Sequence, residues 1–348
     1  MFHPRPCGCK GQRSCLLCEK DHGAWKTESW VTEEDKEWSY IYCPLCDFAW
    51  PGWETNSWRI HPNHQGEPIK LCGIKLLLEF VSEEEEKDLL VYMDEIPWDL
   101  SQSGRRKQNY GPKCNFKKRR LRTETFGGYP AFTKFIQDRF TTVDILKGFQ
   151  TVEQCSLEYI VERGASIDPH IDDCWIWGER IPTLSLLADS TLTLRKFNGP
   201  RSKYNLTDTE GYPPIIRENG TVRVDEEIAR EFNQLSQKRS GYENSQEKPQ
   251  EYIGSKKSII SSLQRIPGRC LVRIPMPRRS LLILYGSARY DWEHGILRED
   301  IPSRRICITY RELTPTFLSH GSESETGSQL LETSKCFWDH RQHYGLNT

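Results

Sequence analysis

The sequence predicts an α+β fold, mainly β: a sandwich or barrel with helices on one side and a small cysteine-rich region at its N-terminal end. Three observations predict it. Helical patterns come first, and many short strands broken by Gly and Pro turns follow. The composition, 36% hydrophobic and 28% charged over 348 residues, allows one large packed domain with polar loops. Residues 1–65 are rich in Cys and Trp and poor in aliphatics, so they need another source of cohesion.

The elements follow in chain order. Ser82-Glu83-Glu84-Glu85 is a capping box opening a helix, with Leu89, Met93 and Ile96 recurring on one face. A second helix is expected over Ala131 to Arg139, with Phe132 and Ile136 inward. Strands are expected at Ser156–Val161, Thr183–Leu187, Leu192–Leu194, Cys270–Ile274, Ser280–Tyr285 and Arg305–Arg311. Residues 199–262 are rich in Ser, Gly, Pro, Asn and charge, and read as an elongated surface insert. It carries one short amphipathic segment, Asp225 to Arg239, with Ile228, Phe232 and Leu235 on one face. The expected organisation is an N-terminal region over 1–65, a main domain over 70–314 and a flexible tail over 315–348, in which Phe337 and Trp338 could dock.

Composition also excludes some roles. A net charge of −1 leaves no globally basic footprint for nucleic acid. No apolar run approaches the roughly 20 residues of a spanning helix, so no membrane partner is expected. Met1-Phe2-His3-Pro4 lacks the pattern of a signal peptide, and an intracellular setting is expected. There, 13 cysteines should be reduced thiols or metal ligands.

Cys7, Cys9, Cys15 and Cys18 form Cys-X-Cys-X5-Cys-X2-Cys, four thiols that suit tetrahedral Zn(II). Cys43-Pro44-Leu45-Cys46 is a further pair that could complete or replace part of that site. The plain alternative is a set of unbound cysteines in a flexible head. Cys72, Cys114, Cys155, Cys174, Cys270, Cys307 and Cys336 have no such grouping, and most are expected as small buried hydrophobes.

The chemistry centres on His170-Ile171-Asp172. Residues two apart on a strand point to the same side, so a His nitrogen and an Asp oxygen converge on one ion. Most such tripeptides are ordinary surface residues. Here the context adds a third donor: His294 follows the apolar strand and precedes Arg305-Ile306-Cys307-Ile308-Thr309-Tyr310-Arg311. Two His and one carboxylate leave open positions on Fe(II), as non-haem oxygenases require. Arg305 and Arg311 share a strand face, about 20 Å apart at roughly 3.3 Å per residue, and could bracket a short dicarboxylate with their guanidinium forks.

At this point the chain resembles the AlkB family of Fe(II)- and 2-oxoglutarate-dependent oxygenases. The order His-X-Asp, distant His, Arg-X5-Arg carries the likeness. More specifically it resembles the alkB-homologue-4 subgroup, through Cys7-Gly-Cys9-Lys-Gly-Gln-Arg-Ser-Cys15-Leu-Leu-Cys18-Glu19, Ser101-Gln-Ser-Gly-Arg-Arg-Lys-Gln-Asn-Tyr-Gly-Pro-Lys113, Glu162-Arg-Gly-Ala-Ser-Ile-Asp-Pro-His170 and Trp175-Ile-Trp-Gly-Glu-Arg180. The likeness covers residues 7–20 and most of 70–195 and 268–314.

The resemblance implies a double-stranded β-helix, or jelly roll, with Fe(II) on His170, Asp172 and His294. It implies that Arg305, helped by Tyr159, pairs with the far carboxylate of 2-oxoglutarate, and that Arg311 sits at the end nearer the metal. Leu157 stands where the family often has asparagine, which weakens the expected co-substrate contacts from that strand. Asp173 is read as solvated or supporting, because the two-residue spacing selects Asp172.

Oxidative demethylation is the implied reaction, with monomethyl-lysine on a protein such as actin as the leading substrate. N6-methyladenine in DNA is the alternative, and a non-catalytic scaffold retaining the fold is a third reading. Cytoplasm and nucleus are the expected compartments. Arg105 to Arg122 is basic, has no acidic residue, and interleaves Tyr110 and Phe116. Arg105, Arg106 and Tyr110 are therefore candidate substrate residues, for a phosphate backbone or an acidic protein surface. A solvated basic loop is the plain alternative. Trp175 and Trp177 could wall a pocket for an ammonium or a flipped base, although core packing is the commoner fate of Trp.

Overall fold

A computed structural model describes residues 5–11, 13–24, 29–217, 219–243 and 270–345. Eight strands form its framework: β1 Glu153–Tyr159, β2 Ile167–His170, β3 Ile181–Leu186, β4 Ser190–Lys196, β5 Leu271–Met276, β6 Leu281–Leu284, β7 Trp292–Ile296 and β8 Arg305–Arg311. They divide between two sheets, one ordered β6-β3-β8-β1 and the other β2-β7-β4-β5. The paired strands are antiparallel, and successive strands from β1 to β4 and from β5 to β8 cross from one sheet to the other, the arrangement of a jelly roll.

The first sheet is buried on both faces, which accounts for the unbroken apolar run Leu281–Leu284 on β6. On β8, Ile306, Ile308 and Tyr310 pack outward into one core cluster, while Arg305, Cys307, Thr309 and Arg311 line a cavity between the sheets. On β6, Leu281 and Ile283 face outward and Leu282 and Leu284 inward. The outer layer is closed by the helices Glu83–Glu95 and Lys134–Phe140, through Leu89, Met93, Ile136 and Phe140. Each such side chain contributes about 1.5–3 kcal/mol by leaving water. The Ser82–Glu85 capping box forms as expected. A single 3-10 turn, Ala131–Thr133, precedes the second helix.

The sheets extend beyond the eight strands. Ile74–Leu77 pairs with β6, and Arg106–Tyr110 with β1. Ser39–Cys43 runs parallel to β5 and carries Phe48–Pro51 on its outer edge. Part of the Cys/Trp-rich region is thus continuous with the second sheet.

Residues 315–345 are not the flexible tail that polarity suggested. The helix Ser324–Thr333 buries Leu330, and Phe337–Trp338 pairs with Tyr129–Pro130. Spaced apolar residues in a polar segment suffice to dock it. The described part of the insert contains the helix Asp225–Glu243, with Ile228 buried and Phe232 against Tyr212. Residues 244–262 lie outside the described residues.

Candidate active site

β2 ends at His170, and the chain turns out of the sheet so that Asp172 lies beside it. His294 stands directly opposite His170 in the β2–β7 register. One donor atom from each of His170, Asp172 and His294 lies within 4.8 Å of the others. His170 Nε2 is 3.6 Å from Asp172 Oδ1, and the two imidazole centroids are 4.4 Å apart. His170 Nδ1 lies 3.0 Å from the Asp168 carbonyl. Donating there leaves Nε2 with a lone pair for an ion.

The electrostatics fit a divalent metal. Burial lowers the His294 pKa to about 3, with His170 adding to the effect, so the ring is neutral as a ligand must be. Burial acts to raise the Asp172 pKa, but Arg311, His170 and His294 outweigh it and hold the carboxyl well below its usual range. Arg311 donates Nε and Nη2 to the two Asp172 oxygens, each at 3.1 Å, and Nη1 to Glu153 at 2.5 Å. Its guanidinium is therefore committed to protein carboxylates at the metal end, where β8 pairs Arg311 with Glu153. Asp173 lies outside the donor group. Its carboxylate accepts from the Trp175 N–H and from both positions of the Asn205 amide contact, at 2.9, 3.1 and 2.9 Å.

The other end of the cavity holds Arg305, fully buried and facing Tyr159 across the β8–β1 register. Its Nη2 donates to Ser185 Oγ at 3.2 Å, while Nε and Nη1 have no hydrogen-bond partner among the described residues. A buried guanidinium with two idle donors needs an anion. The Tyr159 ring lies 5.1 Å from it, and Arg105 also lies beside the Tyr159 hydroxyl. Between the ends, Leu157, Ile181, Leu192, Leu282, Leu284 and Ile296 make an apolar wall. Three protein donors at one end leave metal positions open, and the Arg305 guanidinium at the other suits the far carboxylate of a dicarboxylate chelating that metal.

Other candidate residues fall elsewhere. Trp175 and Trp177 do not line the cavity: they are buried in a core cluster with Phe317 and Leu330. Arg106 is committed to Glu158, and Arg105 is buried with Nε donating to the Gln102 carbonyl. Tyr110 packs half-buried beside Trp338. The exposed cations are on the hairpin Lys113–Asn115/Arg120–Arg122. Arg119 at its tip donates to Asn205, the residue that holds Asp173.

Cys7, Cys9, Cys15 and Cys18 converge, each buried, with their sulfurs within 4.8 Å of one another. Arg163 donates to the Cys7 carbonyl at 3.2 Å and fastens this loop to the β1–β2 connection, while Glu19 pairs with Arg298 at 2.7 Å and ties it to the β7–β8 connection. Cys43 and Cys46 do not complete that group; they gather with His61 and His64 instead. Of the remaining cysteines, Cys174, Cys270 and Cys307 are buried, but Cys72 and Cys336 are exposed.

Four contributors escaped the sequence reading: Glu153, Ser185, Asn205 and Glu293. Glu293 accepts from Arg195, Lys203 and Tyr204, bracing β7 beside His294. The Glu153–Arg311 pair follows from the β1–β8 register, which sets Glu-X5-Tyr against Arg-X5-Arg and has no signal in the sequence.

No family model matches the chain. The human alpha-ketoglutarate-dependent dioxygenase alkB homolog 4 is 37% identical over 333 residues, covering 96% of this chain and 94% of the human protein. Its mouse counterpart is 35% identical, covering 95% and 94%. A DNA N6-methyl adenine demethylase of Caenorhabditis elegans is 30% identical over 342 residues, covering 93% of each chain. With these relatives matched along nearly their whole length, the chain belongs to the AlkB family of Fe(II)- and 2-oxoglutarate-dependent dioxygenases, in its alkB-homologue-4 subgroup.

Proposed function

We propose that this dioxygenase removes N-methyl groups by oxidative demethylation, with monomethyl-lysine on a protein such as actin as its leading substrate. The observation that carries the demethylase reading is one apolar cavity with a three-donor metal cluster at one end and the half-satisfied Arg305 at the other. Bound Fe(II) and 2-oxoglutarate would supply dioxygen activation, with succinate and CO2 as co-products and the hydroxylated methyl leaving as formaldehyde.

The chain's own residues have distinct tasks in this reading. His170, Asp172 and His294 hold the ion from one side. Arg305 and Tyr159 fix the far end of the co-substrate. Arg311 keeps Asp172 ionised and at a set angle, while the apolar wall excludes water. Cys7, Cys9, Cys15 and Cys18 would hold a structural Zn(II) that steadies the connection leading into His170.

The exposed basic hairpin is linked through Arg119 and Asn205 to Asp173, beside the metal motif. It suits an acidic protein face. Localised charge on a chain of net −1 fits a protein contact better than an extended phosphate track. The worm relative named for N6-methyladenine in DNA supports the second reading, a nucleic-acid substrate. Cytoplasm and nucleus are the compartments we assign to this activity.

The test is formaldehyde release across methylated peptides, methylated actin and methylated DNA, with His170→Ala protein as control. Release from actin supports the leading reading. Release from DNA alone reverses the order, and release from none refutes both.

A further inference from the structure

We propose that Cys43, Cys46, His61 and His64 form a second metal centre, a closed structural site for Zn(II) that clamps the N-terminal hairpin to the jelly roll. The four side chains come from two separate segments, yet one donor atom of each lies within 4.8 Å of the other three. Tetrahedral Zn(II), bonded to sulfur at about 2.3 Å and to nitrogen at about 2.0 Å, separates its donors by roughly 3.3–3.8 Å. Cys43 Sγ and His61 Nδ1 are 3.8 Å apart.

The local backbone brings the two sulfurs together at one turn. Cys43 ends the strand Ser39–Cys43, and Cys43-Pro44-Leu45-Cys46 makes the turn into Phe48–Pro51. The N–H groups of Leu45 and Cys46 point at Cys43 Sγ. Trp50 Nε1 donates to Cys46 Sγ at 3.3 Å. Asp47, in the left-handed region at φ 60°, returns its N–H to the Cys43 carbonyl at 2.9 Å and closes the turn.

The histidines complete the argument. His61 and His64 follow the 3-10 helix Thr55–Ile60 and lie with ring centroids 5.4 Å apart. Trp50 stacks on His64 at 4.8 Å, setting the ring plane. His64 Nε2 is buried with no hydrogen-bond partner among the described residues. Two thiolates neutralise a divalent ion, and two neutral imidazoles complete its tetrahedron. No position remains for water or substrate, so the site is structural and not catalytic.

The fold supplies a reason for such a clamp. The apolar cluster here is small, with Ile41, Cys43 and Trp58 buried and Cys46 and Trp50 against them. A metal cross-link replaces the missing core and fixes Ser39–Cys43 in its parallel pairing with β5.

Zinc content and zinc X-ray absorption test the proposal on the full chain expressed without chelator. The His170→Ala/His294→Ala background removes nitrogen donors of the iron site. The expected zinc shell contains both nitrogen and sulfur: two of each if this centre alone is loaded, or an average of one nitrogen to three sulfurs if the four-cysteine loop is loaded too. A Cys46→Ser/His64→Asn variant is expected to lose one zinc per chain and the nitrogen signal, while Cys15→Ser/Cys18→Ser keeps that signal. A sulfur-only shell, the absence of zinc, or equal zinc in the Cys46→Ser/His64→Asn protein overturns it. The absorption measurement stands even if that variant fails to fold.

Discussion

Replacing Arg305 with methionine separates a co-substrate role from a structural one. Arg305 is fully buried, its Nη2 satisfied by Ser185 and its Nε and Nη1 idle. If those two donors receive the far carboxylate of 2-oxoglutarate, their loss removes two charge-assisted bonds worth about 1.5–3 kcal/mol each. Allowing for incomplete additivity, the loss is about 3–5 kcal/mol, or roughly a 10²- to 10³-fold weaker dissociation constant and somewhat more at the upper end. Stability should move the other way. In the absence of co-substrate the guanidinium is a buried cation without a counter-charge, so an apolar chain of similar length is neutral or stabilising. The assay is a calorimetric titration of anaerobic Mn(II)-loaded protein with 2-oxoglutarate, alongside thermal melting. Wild-type protein at 100 times its dissociation constant should gain about 2.7 kcal/mol, and Arg305→Met almost none. An affinity within about threefold of wild type, equivalent to well under 1 kcal/mol, would falsify the assignment.

Further outcomes follow from the same geometry. His170→Ala, Asp172→Ala and His294→Ala should each abolish 2-oxoglutarate decarboxylation in folded protein; wild-type-like turnover in any of them removes that ligand. Arg311→Met frees both Asp172 oxygens, and metal affinity should fall about 10- to 100-fold in a Mn(II) titration. Arg119→Ala should raise KM for the macromolecular substrate and leave uncoupled 2-oxoglutarate turnover intact, whereas loss of both would place Arg119 in the fold instead. Burial raises the Glu179 pKa to about 7, so native protein holds a proton that the unfolded chain releases near its ordinary 4.5. Stability from this group therefore declines as pH climbs from about 4.5 to 7, and Glu179→Gln should flatten the decline in melting profiles; an unchanged slope contradicts it.

Strand periodicity made much of the framework readable. Leu281-Leu282-Ile283-Leu284 and Arg305–Arg311 sit where their patterns put them, and the helix after Ser82 starts at its capping box. β7 was missed because His294 stands on its inward face between Trp292 and Ile296, where an apolar residue would mark a strand, and because Glu293 on the other face is buried by Arg195, Lys203 and Tyr204. Arg106–Tyr110 was missed for a related reason, since its charges are taken up by Glu158 and neighbours on β1.

Short-range spacing determined the local chemistry of this chain. A two-residue spacing across a strand end brings His170 and Asp172 together, and four closely spaced cysteines mark a metal-like loop. Tertiary structure decided every assignment that depends on pairing distant segments. Glu153 meets Arg311 only through the β1–β8 register, and His61 and His64 meet Cys43 and Cys46 only after the chain doubles back past the hairpin. Trp175 and Trp177 went to the core, and the exposed cations to a hairpin. Dihedral preferences and side-chain period act within a few residues, whereas register, burial and idle hydrogen-bond donors exist only once remote strands have closed around one cavity.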